Sequence, residues 1–369
     1  MKIASYNVEN LFRRPTAFMD ADGKANEDVL AAYTDLTELL AQPSYSQSDK
    51  DKIIDRLDDL GLKWVDENNT AVIRETRGQL VKRTRDPKAA LVKPDGRPDW
   101  IGWVELKRKE LDSQATENTA AIIGEVDPDV LAVVEAEDRL TLDRFNEYVL
   151  QKVNGWMFGH TMLIDGNDER GIDVGAMAKK PFPIGRLRSH IDDLKKGEEG
   201  KDKPGRIFSR DCAEYELPTP DGGSLLLMVN HLKSKIGGGE ERRKEQAERL
   251  ATIYNDRRKD WERIVVAGDF NDGPESEPIA HLLSKTDMVD SWKLNDFDAG
   301  GETSTHSGGE RFDYLFLSPQ LEKAMKAGGV NRRGIWKASL KNTPALLDTL
   351  TEEDEAASDH AAIWVDLDV

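Results

Sequence analysis

Short, continuous runs of apolar residues, separated by turn-forming residues, recur along the chain. Such runs are typical of strands that are buried on both faces of a sheet. The strands predicted in this way are Lys2–Asn7, Val130–Val134, Val174–Ala178, Leu225–Asn230, Ile264–Ala267, Phe312–Leu317 and Ala361–Val365, and Val65–Arg74 can also extend. The pattern therefore predicts a protein built on covered β-sheets.

Longer amphipathic stretches between these runs predict helices. The helical candidates are Glu27–Leu40, Ser48–Leu60, Thr116–Glu125, Arg139–Val153 and Glu240–Arg258. Asp127-Pro128-Asp129 separates one helix from the next strand, because the residue before a proline is disfavoured in a helix. Strands and helices without a long βαβ alternation predict sheets sandwiched between helical layers.

The segment from residue 13 to residue 115 differs from the rest of the chain. It is polar, its pattern is mostly helical or irregular, and it lies between the first strand and the next strong strand signal. Connections this long are usually functional or disordered. The chain is therefore predicted to be one domain, residues 1–369, with residues 13–115 as an insertion that can cap a site.

Composition narrows the class of protein. Apolar residues make up 38% of the chain and charged residues 33%, which is typical of a soluble protein with a sizeable core. No stretch approaches the roughly 18 to 20 apolar residues that span a bilayer, and no secretory leader precedes the first strand. A cytoplasmic location is expected, or a secreted one if a leader has been removed. The single cysteine, Cys212, excludes an internal disulfide and is a poor candidate nucleophile.

Charge is distributed unevenly. The net charge of −18 argues against a protein that grips nucleic acid by broad charge complementarity. The stretch Arg74–Lys109, however, carries eleven Lys or Arg residues against five acids, and it contains Trp100 and Trp103. Basic residues interleaved with aromatic ones can hold phosphates and stack bases. The alternative is a solvated cap that packs on the core through its tryptophans.

Polar side chains stand where several predicted strands end. Asn7 and Glu9 are two residues apart, so that they can share one face of a strand. Glu135 follows an apolar run, and a buried acid is costly unless it is paired or bound to a metal. Further placements of this kind are Asp269 and Asn271, Asp313, and Asp359 with His360. Each alone is more typical of a turn or cap; together, without a cysteine cluster, they predict a site for Mg²⁺, Mn²⁺ or Ca²⁺.

Six segments follow one another along the chain: Asn7-Val8-Glu9, Asp129 to Glu135, Asn230-His231-Leu232, Gly268-Asp269-Phe270-Asn271, Arg311-Phe312-Asp313-Tyr314 and Ser358-Asp359-His360. This ordered set resembles the endonuclease/exonuclease/phosphatase superfamily, the deoxyribonuclease I-like proteins. Two further segments, Arg170–Val174 and His231–Lys235, resemble its bacterial extracellular-nuclease-like branch. The resemblance implies an α/β fold, a four-layer α-β-β-α sandwich with a site at one end of the sheets. The sequence pattern adds a mostly helical insertion after the first strand.

The resemblance also implies a chemistry, the in-line attack of water on a phosphodiester. Glu135 resembles the main ligand of a divalent metal, Mg²⁺ or Mn²⁺ with Ca²⁺ as a further possibility, and Glu9 and Asp359 complete that site. Asp269 resembles the residue that orients or deprotonates the water. Asn7 and Asn271 resemble residues that hold the phosphate and the side chains next to it.

Two histidines belong to the implied site. His360 resembles the histidine that contacts the scissile phosphate, and Asp313 its carboxylate partner, which favours the imidazolium. His231 matches a second family histidine, and Asp173 stands where relatives place the acid of that histidine. Candidate phosphate contacts are Arg170, Arg210 and Lys233, for which ordinary surface charge is the alternative.

Three details depart from the family pattern. The segment between the first strand and Glu135 is far longer than the usual connector of the family. Val134 stands where many members have glutamine, and Glu9 stands where some have aspartate. Three functions remain open. The first is a nuclease that acts on DNA, and RNA as a further substrate. The second is a phosphatase or phosphodiesterase on a smaller phosphoester, such as a phospholipid headgroup, inositol phosphate or nucleotide. The third is an inactive binding protein.

Overall fold

The computed structural model describes residues 1–9, 11, 13–15, 23–84, 89–110, 113–168, 170–197, 205–219, 221–235, 239–336 and 345–369. The strands are β1 (Lys2–Asn7), β2 (Arg13–Pro15), β3 (Ala71–Arg77), β4 (Val81–Arg83), β5 (Ala90–Val92), β6 (Ile101–Leu106), β7 (Arg108–Glu110), β8 (Val130–Ala136), β9 (His160–Leu163), β10 (Asp173–Ala178), β11 (Leu187–Arg188), β12 (Cys212–Pro218), β13 (Ser224–His231), β14 (Ile264–Asp269), β15 (Val289–Asp290), β16 (Phe297–Asp298), β17 (Asp313–Leu317), β18 (Met325–Asn331) and β19 (Ala362–Leu367).

The α-helices are α1 (Gly23–Leu40), α2 (Gln47–Asp59), α3 (Ser113–Val126), α4 (Arg139–Arg144), α5 (Gln151–Asn154), α6 (Glu240–Arg257), α7 (Glu277–Lys285) and α8 (Pro319–Ala324). A π-helical stretch, Phe145–Leu150, joins α4 to α5. Short 3-10 helices lie at Arg97–Asp99, Ser291–Lys293 and Glu353–Glu355. Within the described part of the chain, no helix is both long and apolar enough to cross a bilayer.

The chain divides into two compact units. The first contains Met1–Phe12, Leu111–Lys235 and Gly239–Val369, and the second contains Arg13–Glu110. The first unit holds a seven-stranded sheet of order β16-β18-β19-β1-β8-β10-β9 and a six-stranded sheet of order β11-β12-β13-β14-β17-β15. Within them β1 runs parallel to β8, and β13 runs parallel to β14.

Strand alternation places the apolar residues of the first unit in three layers. Ile3 of β1 belongs to a core between the sheets, whereas Ala4 and Tyr6 belong to a core that includes Ile122 and Ile123 of α3. A third core joins the outer residues of the six-stranded sheet to α6 and α7. Helices, two sheets and helices thus form four layers, which confirms the predicted α-β-β-α sandwich.

The second unit has its own core, in which α1 and α2 pack with buried strand residues and with Trp100. Its strands form three two-stranded sheets, β2–β7, β3–β6 and β4–β5. The second unit contains the two helices that the pattern predicts, α1 and α2, and it also contains short strands. A search for continuous apolar runs does not find β6, because its residues alternate between exposed and buried. That both units act as one domain stays a prediction.

The two tryptophans of the basic segment have different environments. Trp100 is fully buried in the core of the second unit, whereas Trp103 of β6 is 49% exposed. Of the basic residues counted in this segment, Arg85 and Lys88 lie outside the described residues. The alternative interpretation is a cap that packs on the core through its tryptophans. Trp100 does pack on a core, but that core is the core of the second unit itself.

Candidate active site

A row of polar residues lies at one end of the six-stranded sheet, on the face that packs against the seven-stranded sheet. His231, Asp269 and Asp313 are cross-strand neighbours on β13, β14 and β17. They continue the inward-facing positions along their strands, and all three are buried. Asn7 reaches the row from β1 of the other sheet, because its Nδ2 donates to Asp269 Oδ2 at 3.1 Å. The two sheets thus bring their polar ends together at one point.

Glu135 reaches this point through an irregularity in β8. Val174 of β10 pairs with Val134 and Asp173 pairs with Ala136, so that Glu135 is an extra residue in the ladder. Its φ is +64°, and a bulge of this kind re-aims a side chain. Glu9 and Asn271 also have positive φ values, 49° and 51°. Such backbone costs about 1–3 kcal/mol for each residue and clusters at functional sites.

Asp269 is held from several sides. Its Oδ1 accepts from the backbone N–H of Asn271 at 2.7 Å, and its Oδ2 accepts from Asn7. Burial raises the pKa of Asp269 to about 7, although the charge of His360 opposes the shift. A carboxylate with a pKa near neutrality can take up a proton at physiological pH, which is the property that a general base needs.

The His360 ring joins Asp313 to the rest of the site. Its Nδ1 lies 2.8 Å from Asp313 Oδ2, and its Nε2 lies 3.7 Å from Asp269 Oδ2 and 3.8 Å from Asp359 Oδ1. Burial lowers the pKa of His360, but Asp313, followed by Asp359 and Asp269, outweighs it and raises that pKa well above its ordinary value. His360 is therefore an imidazolium whose Nε2 can donate to an anion.

The pKa of His231 is shifted in the opposite direction to that of His360. Burial, and then the charge of Arg210, lower the pKa of His231 well below its ordinary value, so that the ring is neutral. Its Nε2 lies 3.5 Å from Glu135 Oε1 and 3.7 Å from Asp269 Oδ2. Its Nδ1 has no hydrogen-bond partner within the part of the chain that the structure describes.

The predicted hydrogen bond between Asp173 and His231 is therefore wrong. Asp173 Oδ1 instead accepts from the backbone N–H of Gly166 at 2.7 Å. Asp173 is the first residue of β10 in the seven-stranded sheet and lies at the register shift opposite Glu135, whereas His231 belongs to the other sheet. Burial raises the pKa of Asp173 to about 7.

Two of the predicted phosphate contacts, Arg170 and Arg210, bind an acid that sequence reasoning missed. Asp168 accepts a two-point contact from Arg170, at 3.0 and 2.8 Å, and lies 2.8 Å from Arg210 Nε. Although burial opposes it, the charges of these two arginines lower the pKa of Asp168 far below its ordinary value. Arg210 is only 2% exposed, and a direct phosphate contact by this residue stays a prediction. Phosphate contacts by Arg170 and Lys233 stay predictions.

Three carboxylates offer the donors that a hard divalent cation prefers. Glu9 Oε2 accepts from the backbone N–H of Asp359 at 2.9 Å. Burial, and then the neighbouring charge of Asp359, raise the pKa of Glu135. A divalent cation near Glu135 and Asp359 would offset that repulsion, and binding of such an ion by Glu9, Glu135 and Asp359 stays a prediction. Within the described residues, however, the tightest groups of possible ligand atoms, each within 4.8 Å, are Glu135 with His231 and Asp269, and His306 with Asp359 and His360.

His306 is the other residue that sequence reasoning missed. Its Nε2 lies 3.3 Å from Asp359 Oδ2, and its ring centroid lies 4.8 Å from that of His360. The available signal was its place in a glycine-rich loop that leads directly into the apolar strand of Asp313.

Comparison with known proteins decides the family. The pattern of the Endonuclease/Exonuclease/phosphatase family matches residues 103–360, which include the site from Glu135 to His360. The chain belongs to this family. Members hydrolyse phosphoesters and generally use a divalent metal, and this family member is accordingly a metal-dependent phosphoric ester hydrolase. Its place in the extracellular-nuclease-like branch stays a prediction.

Several solved structures resemble this family member. A mannosyl-6-phosphatase of Bacteroides thetaiotaomicron is 15% identical, with 69% of this chain and 92% of that chain covered and a TM-score of 0.49. The human Nocturnin catalytic domain with bound sulfate is 17% identical, with 70% and 87% covered and a TM-score of 0.49. Truncated TDP2 of Caenorhabditis elegans is 18% identical, with 69% and 90% covered and a TM-score of 0.44. None of the curated proteins matches the chain.

Proposed function

We propose that this hydrolase is a nuclease that cleaves DNA, and RNA as a further substrate, with Mg²⁺ or Mn²⁺ as its metal. The observation that carries the hydrolytic chemistry is the arrangement of Asp269 and His360. A buried carboxylate with a pKa of about 7 stands 3.7 Å from an imidazolium that Asp313 stabilises. One group can accept a proton from water while the other binds the anionic phosphate.

Each side chain of the site has a separate task in this proposal. Asp269 accepts the proton of the attacking water, and Asn7 and the Asn271 backbone hold its two oxygens in place. His360 donates from Nε2 to a phosphate oxygen. The ion at Glu9, Glu135 and Asp359 would supply positive charge for the phosphoryl oxygens and the leaving group.

The support for nucleic acid comes from the second unit. Trp103 on β6 is exposed, and its cross-strand neighbour on β3 is Arg74. An exposed indole beside a guanidinium can stack on a base and contact its phosphate. The interaction surface is smaller than the whole basic segment, because Arg74 also pairs with Glu105 and Arg83 pairs with Asp66.

A second candidate is the hydrolysis of a smaller phosphoester. The net charge of −18 favours it, and so does the acidic 3-10 helix Glu353–Glu355, which precedes Asp359 in sequence. These charges repel a long polyanion more strongly than they repel a small ester, because the repulsion adds up over many phosphates.

The test is cleavage of supercoiled plasmid and of single-stranded DNA with Mg²⁺, with Mn²⁺ and with EDTA. We expect metal-dependent cleavage, with nicked or shortened products separating endonucleolytic from exonucleolytic action. Trp103→Ala should raise KM for single-stranded DNA about 5- to 100-fold, as the loss of one stacked base predicts. Trp64→Ala is the matched control, because Trp64 is 46% exposed in the same unit.

Two results would contradict the proposal. Metal-dependent hydrolysis of a small ester, such as bis(p-nitrophenyl) phosphate, without cleavage of either DNA would favour the second candidate. Equal KM values for the Trp103 and Trp64 variants would remove the support that the second unit gives to nucleic acid.

A further inference from the structure

His306 lies in a loop that binds the segment carrying Asp359 at three points. The backbone N–H of Ser307 donates to the Asp359 carbonyl at 2.8 Å, and Thr305 accepts from the N–H of Ala361 at 2.7 Å. The third point is the side-chain contact between His306 Nε2 and Asp359 Oδ2 at 3.3 Å. The loop therefore fixes the backbone on both sides of Asp359 and also reaches its carboxylate.

The loop itself is held in one conformation. Thr305 Oγ1 accepts from the backbone N–H groups of Phe312 and Asp313, at 3.0 and 3.1 Å. The same threonine thus joins the start of the loop to the strand that carries Asp313. The His306 ring packs against Phe312 and His360, with centroid distances of 5.1 and 4.8 Å.

The tautomer of His306 follows from its neighbours. Nδ1 accepts from the backbone N–H of Gly308 at 3.0 Å, so the ring proton lies on Nε2. Nε2–H is then a donor directed at Asp359 Oδ2. Because the Asp359 side chain is 40% exposed, a fixed donor has a large effect on the orientations that its carboxylate can take.

We propose that His306 is a positioning residue that holds the Asp359 carboxylate in the orientation that binds the divalent metal. This inference rests on the proposed metal site at Glu9, Glu135 and Asp359. A hydrogen bond to a metal-binding carboxylate orients it, and loss of such a bond weakens metal affinity about 10- to 100-fold. His306 does not itself contact the reacting atoms in this assignment.

Direct titration of the protein with Mn²⁺, followed by the electron paramagnetic resonance signal of the free ion, tests the assignment without a substrate. We expect His306→Phe to raise the Mn²⁺ Kd about 10- to 100-fold, since phenylalanine keeps the ring packing and removes both nitrogens. His306→Gln, whose amide nitrogen can replace Nε2, should restore most of the affinity. His281→Phe is the matched control, because that ring is 26% exposed against 24% for His306 and also lies near a carboxylate, Glu248.

The outcomes separate this inference from the proposed function. If His306→Phe binds Mn²⁺ as tightly as the wild type, the positioning role is wrong and the metal site stands. If the wild type binds no Mn²⁺, the proposed metal site fails and the inference fails with it. Asp359→Asn provides a second measurement that does not depend on the folding of one variant: in that background, His306→Phe should have no further effect on Kd, and an undiminished effect would overturn the inference.

Discussion

The first unit contains two buried histidine–carboxylate clusters on the six-stranded sheet, and they differ in how their charges are balanced. In one, His190 places Nδ1 3.0 Å from Asp193 and Nε2 2.6 Å from Glu214. Arginines complete that cluster: Arg257 of α6 contacts both oxygens of Glu214, at 2.6 and 2.9 Å, and Arg249 contacts Asp193 at 2.7 Å. Each carboxylate therefore has a cationic partner.

The other cluster, His360 with Asp313 and Asp269, is not balanced in this way. Its acids outnumber its cations, and Asp313 Oδ1 has no hydrogen-bond partner among the described residues. The pKa values move in opposite directions as a result. Burial raises the pKa of Glu214, but His190 and Arg257 outweigh it and lower that pKa, whereas burial raises the pKa of Asp269 to about 7. A balanced cluster stabilises the fold, and an unbalanced one keeps groups available for a ligand and a proton.

The largest effect should follow Asp269→Asn, which removes the proposed general base and keeps the shape of the side chain. We expect phosphodiester hydrolysis to fall by about 10³-fold or more, within the range of general-base catalysis. The measurement is kcat on the substrate that the wild type cleaves. The matched change in the balanced cluster, Glu214→Gln, should leave kcat unchanged for the folded protein. Wild-type activity in Asp269→Asn would refute the catalytic assignment.

Glu214→Gln should destabilise the folded protein, whereas Asp269→Asn should stabilise it. Glu214→Gln removes the buried carboxylate that binds Arg257 and His190, and it should lower the free energy of unfolding by about 1.5–3 kcal/mol. The control is Glu216→Gln on the same strand, whose partner Arg186 is 89% exposed, and it should cost less than about 1 kcal/mol. Urea unfolding in EDTA measures both. Equal effects of the two substitutions would show that the Glu214 cluster does not stabilise the fold.

The free energy of unfolding should rise with pH through Glu214 and fall with pH through Asp269. The contribution of Glu214 is fully present above the unfolded-state pKa of 4.5 and is lost as pH falls through its lowered folded pKa. Ionised Asp269 is unfavourable in the fold, so the wild type should lose stability relative to Asp269→Asn as pH rises from about 4 to about 7. Parallel stability curves for wild type and Asp269→Asn across this range would contradict the raised pKa.

The smallest effect should follow Asp173→Asn. Asp173 has a raised pKa like Asp269, but its carboxylate binds the Gly166 backbone and not His231. We expect kcat to stay within about fivefold of the wild type, since the hydrogen bond that Asp173 accepts from Gly166 contributes about 1 kcal/mol. A loss of 100-fold or more in steady-state assays would restore Asp173 to the catalytic machinery.

Sequence reasoning succeeds where a residue continues a regular strand. Lys2–Asn7 is predicted as a strand, and β1 has those bounds. Because His231, Asp269 and Asp313 end or begin similar runs, their convergence follows from sheet geometry. Glu135 is a partial success, since its location at a strand end is predictable and the bulge that directs its side chain is not.

The remaining features depend on contacts that no periodicity encodes. β12 is hidden because Glu214 and Glu216 interrupt its apolar pattern, and β18 because it contains Gly328-Gly329. Asp168 and His306 lie outside regular elements, where the positions of side chains depend on the neighbours that a loop happens to meet. β6 of the second unit is missed because half of its residues face solvent.

The alternation that places Asp269 between the sheets has a consequence for how this protein can vary. Inserting or deleting one residue in β14 ahead of Asp269 would exchange the two faces of the strand and turn the carboxylate toward α6 and α7. A loop can lengthen without this exchange, and the second unit enters the chain between β1 and β8 in this way. Length variation in natural or engineered descendants should therefore accumulate in the loops, and new substrate specificity is best sought there, with strand lengths left untouched.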